Sequence, residues 1–208
     1  MTSINRSNIY ASPNKKALTV TADNKSKTYG DANPALTSTI TGFISGENLG
    51  NSGVSGAAGL STLADANSNV ADGPFTITAG AGTLAAGNYS FGFVNGQLTI
   101  NSRALTVGTD AKSKTYGDAD PSFTGSNNPA AHDAALISWD YQPTAYTGNA
   151  GTYQVTATAT DASNRLANYT RTNDYHNLVV DKKALTVAAA SGQSKTYGDA
   201  DPGNYAYI

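Results

Sequence analysis

Residues able to do acid–base chemistry are few and scattered in this chain. His132 and His176 are the only histidines, and neither stands at a spacing typical of a metal site or a catalytic triad. Glu47 is the only glutamate and the aspartates mostly occur in turn sequences, so two carboxyl groups converging in one cleft are not indicated. The absence of cysteine excludes disulfides, thiolate metal ligands and thiol nucleophiles. We predict a non-enzymatic chain without a cofactor, with both histidines in solvated loops or strands.

Two pairs of aspartates are the clearest candidates for a metal site. Asp118 and Asp120, and likewise Asp199 and Asp201, place two carboxylates one residue apart with backbone carbonyls nearby. Calcium takes six to eight oxygen ligands, and such a segment supplies roughly two or three. We therefore predict that these residues form a structural turn, and calcium binding is the alternative.

One group of aromatic residues is a candidate for ligand recognition. Trp139, Tyr141 and Tyr146 lie close together in the sequence, and rigid aromatic surfaces often serve recognition. Ile137, Trp139 and Tyr141 also alternate as the core-facing residues of a strand do, and a large aromatic on an apolar face is normally buried. We predict core packing and keep a sugar-stacking platform as the alternative.

The composition excludes several classes of partner. Charged residues make up 13% of the chain, the net charge is -2 and no Lys/Arg stripe is present, so nucleic acid is not an expected partner. No segment approaches the roughly 20 apolar residues that span a bilayer, so membrane insertion is not expected. Abundant small uncharged polar residues suit an extracellular β protein. Residues 2–14 lack the apolar core of a signal peptide, so we expect a piece excised from a longer protein.

An internal repeat organises the sequence. Ala-Leu-Thr-Val begins at Ala17, Ala104 and Ala184, and each copy is followed by Ser-Lys-Thr-Tyr-Gly-Asp. Two of the copies close with Asn-Tyr and an apolar strand sequence, offset by 80 residues. Units of this length are small domains rather than solenoid repeats. We predict an N-terminal tail over 1–14, a first domain over 15–101, a second over 102–181 and a partial third repeat, with its first strand and turn, over 182–208.

Within each unit the apolar residues recur at every second position. Leu18 and Val20 alternate with threonines, and Tyr153, Val155 and Ala157 alternate with polar residues in the second unit. This period is typical of half-buried strands, and Gly, Asn, Asp and Pro clusters separate them. We therefore predict an all-β fold of tandem small antiparallel β-sandwiches of immunoglobulin-like type.

The repeated Tyr-Gly-Asp segment predicts a turn with an aromatic anchor. Glycine supplies a positive φ, aspartate bonds backbone amides two residues on, and the following proline prevents the strand from continuing. The tyrosine can bury its ring and bond its hydroxyl to the backbone, as corner tyrosines do in sandwiches. The turn residues are Tyr29, Gly30, Asp31 and Pro34, then Tyr116, Gly117, Asp118 and Pro121, and finally Tyr197, Gly198, Asp199 and Pro202.

These motifs carry a family resemblance. The opening segment 17–36, with the closing Gly-Asn-Tyr and the strand sequence 94–100, resembles the MBG/YDG-type repeats. The resemblance covers both full units and the partial third one. It implies β-rich modules that stand in tandem in very large secreted bacterial adhesins, including filamentous-haemagglutinin-like ones, as extracellular stalks.

From the repeats and the resemblance we predict a stalk or spacer of a bacterial cell-surface adhesin, located outside the cell. The adhesin as a whole would meet a host or cell-surface ligand. One alternative is a carbohydrate- or protein-binding module that uses the variable segments 48–69 and 127–147. The other is a head-to-tail fibre subunit that self-associates through its C-terminal strand, since one strand and one turn cannot bury an apolar face alone.

Overall fold

Strands and turns make up the regular structure. The computed structural model describes residues 14–192 and 194–200, and these residues contain no α-helix. The first repeat has strands β1 (Lys16–Ala22), β2 (Lys25–Thr28), β3 (Ser38–Thr41), β4 (Gly59–Ser61), β5 (Phe75–Gly80), β6 (Tyr89–Val94) and β7 (Gly96–Asn101). The second has β8 (Arg103–Thr109), β9 (Lys112–Thr115), β10 (Gly125–Asn127), β11 (Ser138–Pro143), β12 (Gly151–Thr160), β13 (Tyr169–Asp174) and β14 (Asn177–Asp181). Two short 3-10 helices cover Val70–Asp72 and Arg165–Asn168.

Both repeats build the same pair of sheets. In the first, a three-stranded sheet has the order β3-β1-β6 and a four-stranded sheet the order β2-β7-β5-β4. In the second, the corresponding orders are β10-β8-β13 and β9-β14-β12-β11. The predicted all-β fold of tandem β-sandwiches is confirmed.

The strand pairing is mixed rather than purely antiparallel. Strands β1 and β6 pair in parallel, as do β2 and β7 in the first repeat and β9 and β14 in the second. The reason lies in the chain path, because the opening segment β1–β2 and the closing segment β6–β7 each pass from the three-stranded to the four-stranded sheet. They run side by side in the same direction. At the crossing, a Cβ on Gly96 would lie 2.5 Å from the Ala22 carbonyl oxygen, so only glycine fits there.

Alternate residues of the strands form the core, as the period of two predicts. Leu18, Val20 and Ala22 of β1 are buried while Thr19 is exposed. Similar alternation places Ile77, Leu98 and Ile100 in the first repeat, and Leu105, Val107, Val155, Leu178 and Val180 in the second, inside. Burying a Val, Leu or Ile side chain contributes about 1.5–3 kcal/mol, so this alternation is the main source of stability.

The chain divides into two compact units whose bounds differ from the repeat bounds. Among the described residues, unit 1 holds 14–106 together with 127–139 and 159–172, and unit 2 holds 107–126, 140–158, 173–192 and 194–200. Two segments of the second repeat therefore belong to the same compact unit as the first repeat. The domain bounds read from the sequence stay a prediction.

The third copy of the opening motif does not form its predicted strand. Residues 182–188 carry no strand assignment, and Leu185 and Val187 are exposed. Their counterparts Leu18 and Val20 are buried beneath neighbouring strands. The sequence prediction was wrong here because an apolar alternation forms a strand only when partner strands cover it.

Candidate functional site at the first Tyr-Gly-Asp turn

The Tyr-Gly-Asp segment forms the same turn in all three copies. The amide of the aspartate donates to the threonine carbonyl three residues earlier at 3.1 Å in each copy. The glycines Gly30, Gly117 and Gly198 have φ of 85°, 88° and 94°. A positive φ at the third position defines a type II turn and favours glycine. Pro34 and Pro121 follow the first two turns, while Pro202 lies outside the described residues.

A lysine spans each of these turns. The Lys27 ammonium donates to the Asp31 carbonyl at 3.1 Å, and Lys114 to Asp118 at 2.9 Å. The third copy repeats the bond at 3.5 Å between Lys195 and its aspartate carbonyl. Lys27 is 7% exposed and also donates to a second carbonyl, so burial lowers its pKa. The lysine of Ser-Lys-Thr-Tyr-Gly-Asp is thus part of the turn.

Tyr29 of the first turn is completely buried by loops of the second repeat. Its hydroxyl lies 3.1 Å from His132 Nε2, and its ring meets the Tyr169 ring edge to face at 5.5 Å. Ala130 closes over the neighbouring glycine, where a Cβ on Gly30 would come within 2.8 Å of the Ala130 Cβ. All of these residues belong to unit 1. The first turn is therefore a contact between repeats.

A buried carboxylate holds the loop that covers Tyr29. Asp133 is fully buried, and its Oδ2 accepts a hydrogen bond from the Tyr169 hydroxyl at 2.7 Å. The same hydroxyl accepts from the Ala130 amide at 2.8 Å. The other carboxylate oxygen, Oδ1, has Arg165 Nε at 3.6 Å and His132 Nε2 at 3.5 Å. These contacts hold the loop in place.

Further polar contacts connect the two repeats on either side of Tyr29. The Arg103 guanidinium pairs with the Asp31 carboxylate at 3.0 Å, which fixes the start of β8 to the turn. Asn168 is buried, accepts from the Val70 amide at 2.8 Å and donates to Asn69 at 3.0 Å. We call the contact of Tyr29, Gly30 and Asp31 with Arg103, Ala130, His132 and Tyr169 the repeat joint.

Burial controls the ionisation of the joint tyrosines. It raises the pKa of Tyr29, and it raises the pKa of Tyr169 as well, where the hydrogen bond to Asp133 adds to the effect. Both hydroxyls therefore stay protonated at neutral pH and can serve as hydrogen-bond donors. The joint is therefore held by hydrogen bonds and aromatic contacts, and the raised pKa of these two hydroxyls makes them poor nucleophiles.

The second and third turns differ from the first in burial. Tyr116 is 49% exposed and Tyr197 is fully exposed. Both turns have the backbone geometry of the first, and the aspartate is exposed in all three copies. The tyrosine of the motif is thus buried in one copy and exposed in two.

The calcium candidates are arranged as turn residues. Asp120 accepts from the Lys114 ammonium at 2.6 Å and from the Tyr146 hydroxyl, so a cationic side chain already occupies its carboxylate. Within residues 14–192 and 194–200, no three His, Cys, Asp or Glu side chains meet as a metal site requires. Asp201 lies outside the described residues.

Tyr141 and Tyr146 pack against the same core cluster of unit 2, whereas Trp139 belongs to unit 1. The Trp139 ring lies 5.2 Å from the Arg171 guanidinium carbon. Tyr141 packs against the core of unit 2, and Tyr146 meets the Tyr153 ring edge to face at 5.0 Å. All three side chains are partly buried, and none is fully enclosed.

The residues of the second repeat that cover Tyr29 were not predicted from the sequence. His176 is exposed as expected, whereas His132 lies in a loop with 26% of its side chain exposed and contacts Tyr29, which the sequence did not predict. No sequence signal pairs His132, Asp133 or Arg165 with a turn about a hundred residues away. The lysines of the turn could have been found, since they recur in all three copies of the motif.

The family comparison covers both complete repeats. A family model described as MBG domain (YGX type) matches residues 18–99 and 105–179. No curated protein matches the sequence as a relative. Domains of this family are β-rich modules that occur in extracellular surface proteins. In the part of the chain that the structure describes, no helix has the length and apolar character needed to cross a bilayer. With most of its length matched by two copies of one model, the chain belongs to the MBG domain family of the YGX type.

Proposed function

We propose that this chain is a non-catalytic stalk or spacer segment of a bacterial cell-surface adhesin, exported from the cell. The observation that carries the proposal is the repeat joint, in which the first turn is buried by loops of the second repeat. A spacer needs contacts that limit bending between successive modules, because small interfaces otherwise allow relative motion. The joint supplies such contacts.

The distribution of polar groups supports the same function. Asp133, Asn168 and Lys27 are buried polar side chains, and all three make hydrogen bonds within the fold. The loop 127–139 belongs to the variable segment of the second repeat, yet it packs against Tyr29. The difference between the two repeats in this segment therefore fits a role in the contact between repeats.

Length measurements test the spacer function directly. Residues 102–181 are duplicated in frame after Asp181, once and then twice, which keeps the junction register because Asp181 corresponds to Asn101. A spacer gains the same increment in maximum dimension, measured by small-angle X-ray scattering, with each added repeat. A radius of gyration that grows only as about the 0.38 power of length, as compact chains do, contradicts the proposal.

A binding module is the second candidate, supported by one groove. An open groove of about 380 Å³ is lined by Leu36, Ile40, Leu49, Leu60 and Leu84, and Leu49 belongs to the variable segment of the first repeat. Its apolar lining suits an apolar peptide segment or the hydrophobic face of a sugar. Glycan-array and peptide-library screens test this function with Leu49→Asp, and Val94→Asp serves as a similarly exposed control outside the groove. Blank screens, or hits that survive Leu49→Asp, would exclude the groove as a binding site.

A further inference from the structure

The turn of the second repeat has the same structure as the first turn, but no other repeat buries its tyrosine. Its backbone matches the first turn, with the Asp118 amide bonded at 3.1 Å and Gly117 at φ 88°. Its lysine spans it in the same way, from Lys114 to the Asp118 carbonyl. Yet Tyr116 is 49% exposed where Tyr29 is 0% exposed. The second turn therefore holds a half-exposed tyrosine in the same backbone turn, and its aspartate is exposed as Asp31 is in the first.

The surface that covers such a turn also recurs in this chain. In the second repeat the loop turns between Ala130 and Asp133, where the Asp133 amide donates to the Ala130 carbonyl at 2.9 Å. That loop is tied to Tyr169, whose hydroxyl accepts from the Ala130 amide and donates to the Asp133 carboxylate. We call this loop and tyrosine the acceptor end of a repeat.

The first repeat has an acceptor end of the same construction. The Glu47 amide donates to the Ile44 carbonyl at 3.0 Å. The Tyr89 hydroxyl accepts from the Ile44 amide at 3.3 Å and donates to the Glu47 carboxylate. The difference is in burial, since Ala130 is 4% exposed under the first turn whereas Ile44 is 51% exposed. Each repeat therefore has a turn at one position and a loop bonded to a tyrosine at another, and of the two loops that of the second repeat has a small residue, Ala130, where the first has Ile44.

We propose that the turn Tyr116–Asp118 is a docking site for the acceptor end of another MBG repeat. This inference rests on the proposed spacer function and names the contact that would build the spacer. The partner is specified by chemistry. It presents a small residue where Ala130 lies, a hydroxyl-bonded tyrosine where Tyr169 lies, and a cation at the start of its first strand to pair with Asp118.

The observed joint explains why these features are required. The contact at Ala130 is tight, because a Cβ on Gly30 would lie 2.8 Å from the Ala130 Cβ, and a larger side chain there would have to fit the same space. The cation is needed because Arg103 pairs with Asp31 at 3.0 Å. An aromatic edge is needed to cover the tyrosine ring, as Tyr169 does for Tyr29. Edge-to-face pairs are the preferred aromatic geometry.

The test uses the full chain with residues 102–181 duplicated once in frame after Asp181. In this protein the turn of the original second repeat is followed by a complete acceptor end, while the turn of the inserted copy is not. Tyr116→Ala is made either in the original repeat or in the inserted copy, and the urea midpoint is measured by circular dichroism. The two variants have the same composition and differ only in the position of the change.

Docking predicts a large drop in the midpoint for the change in the original repeat, comparable with that of Tyr29→Ala, and little change for the inserted copy. In the unduplicated chain Tyr116→Ala should also have little effect. Equal effects at the two positions, or no effect at either, would overturn the inference. If Tyr116→Ala prevents folding, Tyr116→Phe replaces it, because this variant keeps the ring and removes only the hydroxyl contact. Small-angle X-ray scattering on the same duplicated protein tests the spacer function separately. The maximum dimension can increase in equal steps with each added repeat even when Tyr116→Ala leaves the urea midpoint unchanged.

Discussion

Replacing the tyrosine of the first turn should destabilise the protein far more than the same change in the second turn. Tyr29 and Tyr116 occupy equivalent positions in identical Ser-Lys-Thr-Tyr-Gly-Asp segments, but only Tyr29 is fully buried. Truncating a buried aromatic to alanine costs about 3–5 kcal/mol. Substitutions at exposed positions usually stay within about 0.5 kcal/mol, and half-exposed Tyr116 should fall near that limit. The comparison isolates burial, because local sequence and backbone conformation are the same.

Urea unfolding measures this difference well. With a slope of about 1.5 kcal/mol per molar urea, Tyr29→Ala should lower the midpoint by about 2–3 M. Trp139 is the only tryptophan and belongs to unit 1, so its fluorescence reports on the loop segment that covers Tyr29. Tyr29→Phe is the milder variant, and removing the hydroxyl contact with His132 should cost about 1 kcal/mol.

The reasoning about the repeat joint would be refuted by equal midpoint shifts for Tyr29→Ala and Tyr116→Ala. It would also fail if Tyr29→Ala left the fluorescence transition of Trp139 unchanged. Both outcomes would mean that the loops of the second repeat do not hold the first turn.

Three further predictions follow from the packing. The free energy of unfolding should fall above about pH 10, because the pKa of Tyr29 and of Tyr169 is raised in the folded protein and the unfolded chain therefore loses these protons first. Each such tyrosine contributes a slope of up to about 1.4 kcal/mol per pH unit, and denaturant titrations of Tyr169→Phe should show a shallower loss. Gly96→Ala should cost about 1–3 kcal/mol since its Cβ meets the Ala22 carbonyl, whereas Gly87→Ala, which meets nothing within 4 Å, should leave the melting temperature nearly unchanged. Millimolar calcium should not raise the melting temperature, because a lysine already occupies the carboxylate of the second turn; a rise of several degrees would restore the calcium hypothesis.

The fold could be predicted from the sequence because its signals are local. The alternation around Leu18 and Val20 sets the buried face of β1 without reference to any other part of the chain. The parallel pairing of β1 with β6 could not be predicted in this way, since it depends on two distant segments crossing between sheets together. Alternation shows that a strand has a buried face and does not show which strand lies beside it.

The candidate site was only half predictable for a similar reason. The Tyr-Gly-Asp motif identifies the turn and its aromatic anchor from neighbouring residues alone. Tyr29 and His132 are separated by 103 residues, and a single loop histidine has no sequence feature that marks it as a contact. The burial of Tyr29 is therefore a property of two repeats together. The failure of the predicted strand near Leu185 is the opposite case, in which the local pattern is present and the covering strands are not.

The lysine that spans each Tyr-Gly-Asp turn has a consequence for how such chains can vary in length. The turn has the same shape whether its tyrosine is buried or exposed, so it forms without contacts from a neighbouring repeat. A gene that gains or loses one unit by recombination therefore carries a formed turn with every unit. The number of repeats can then change in a single genetic event without a new turn having to evolve.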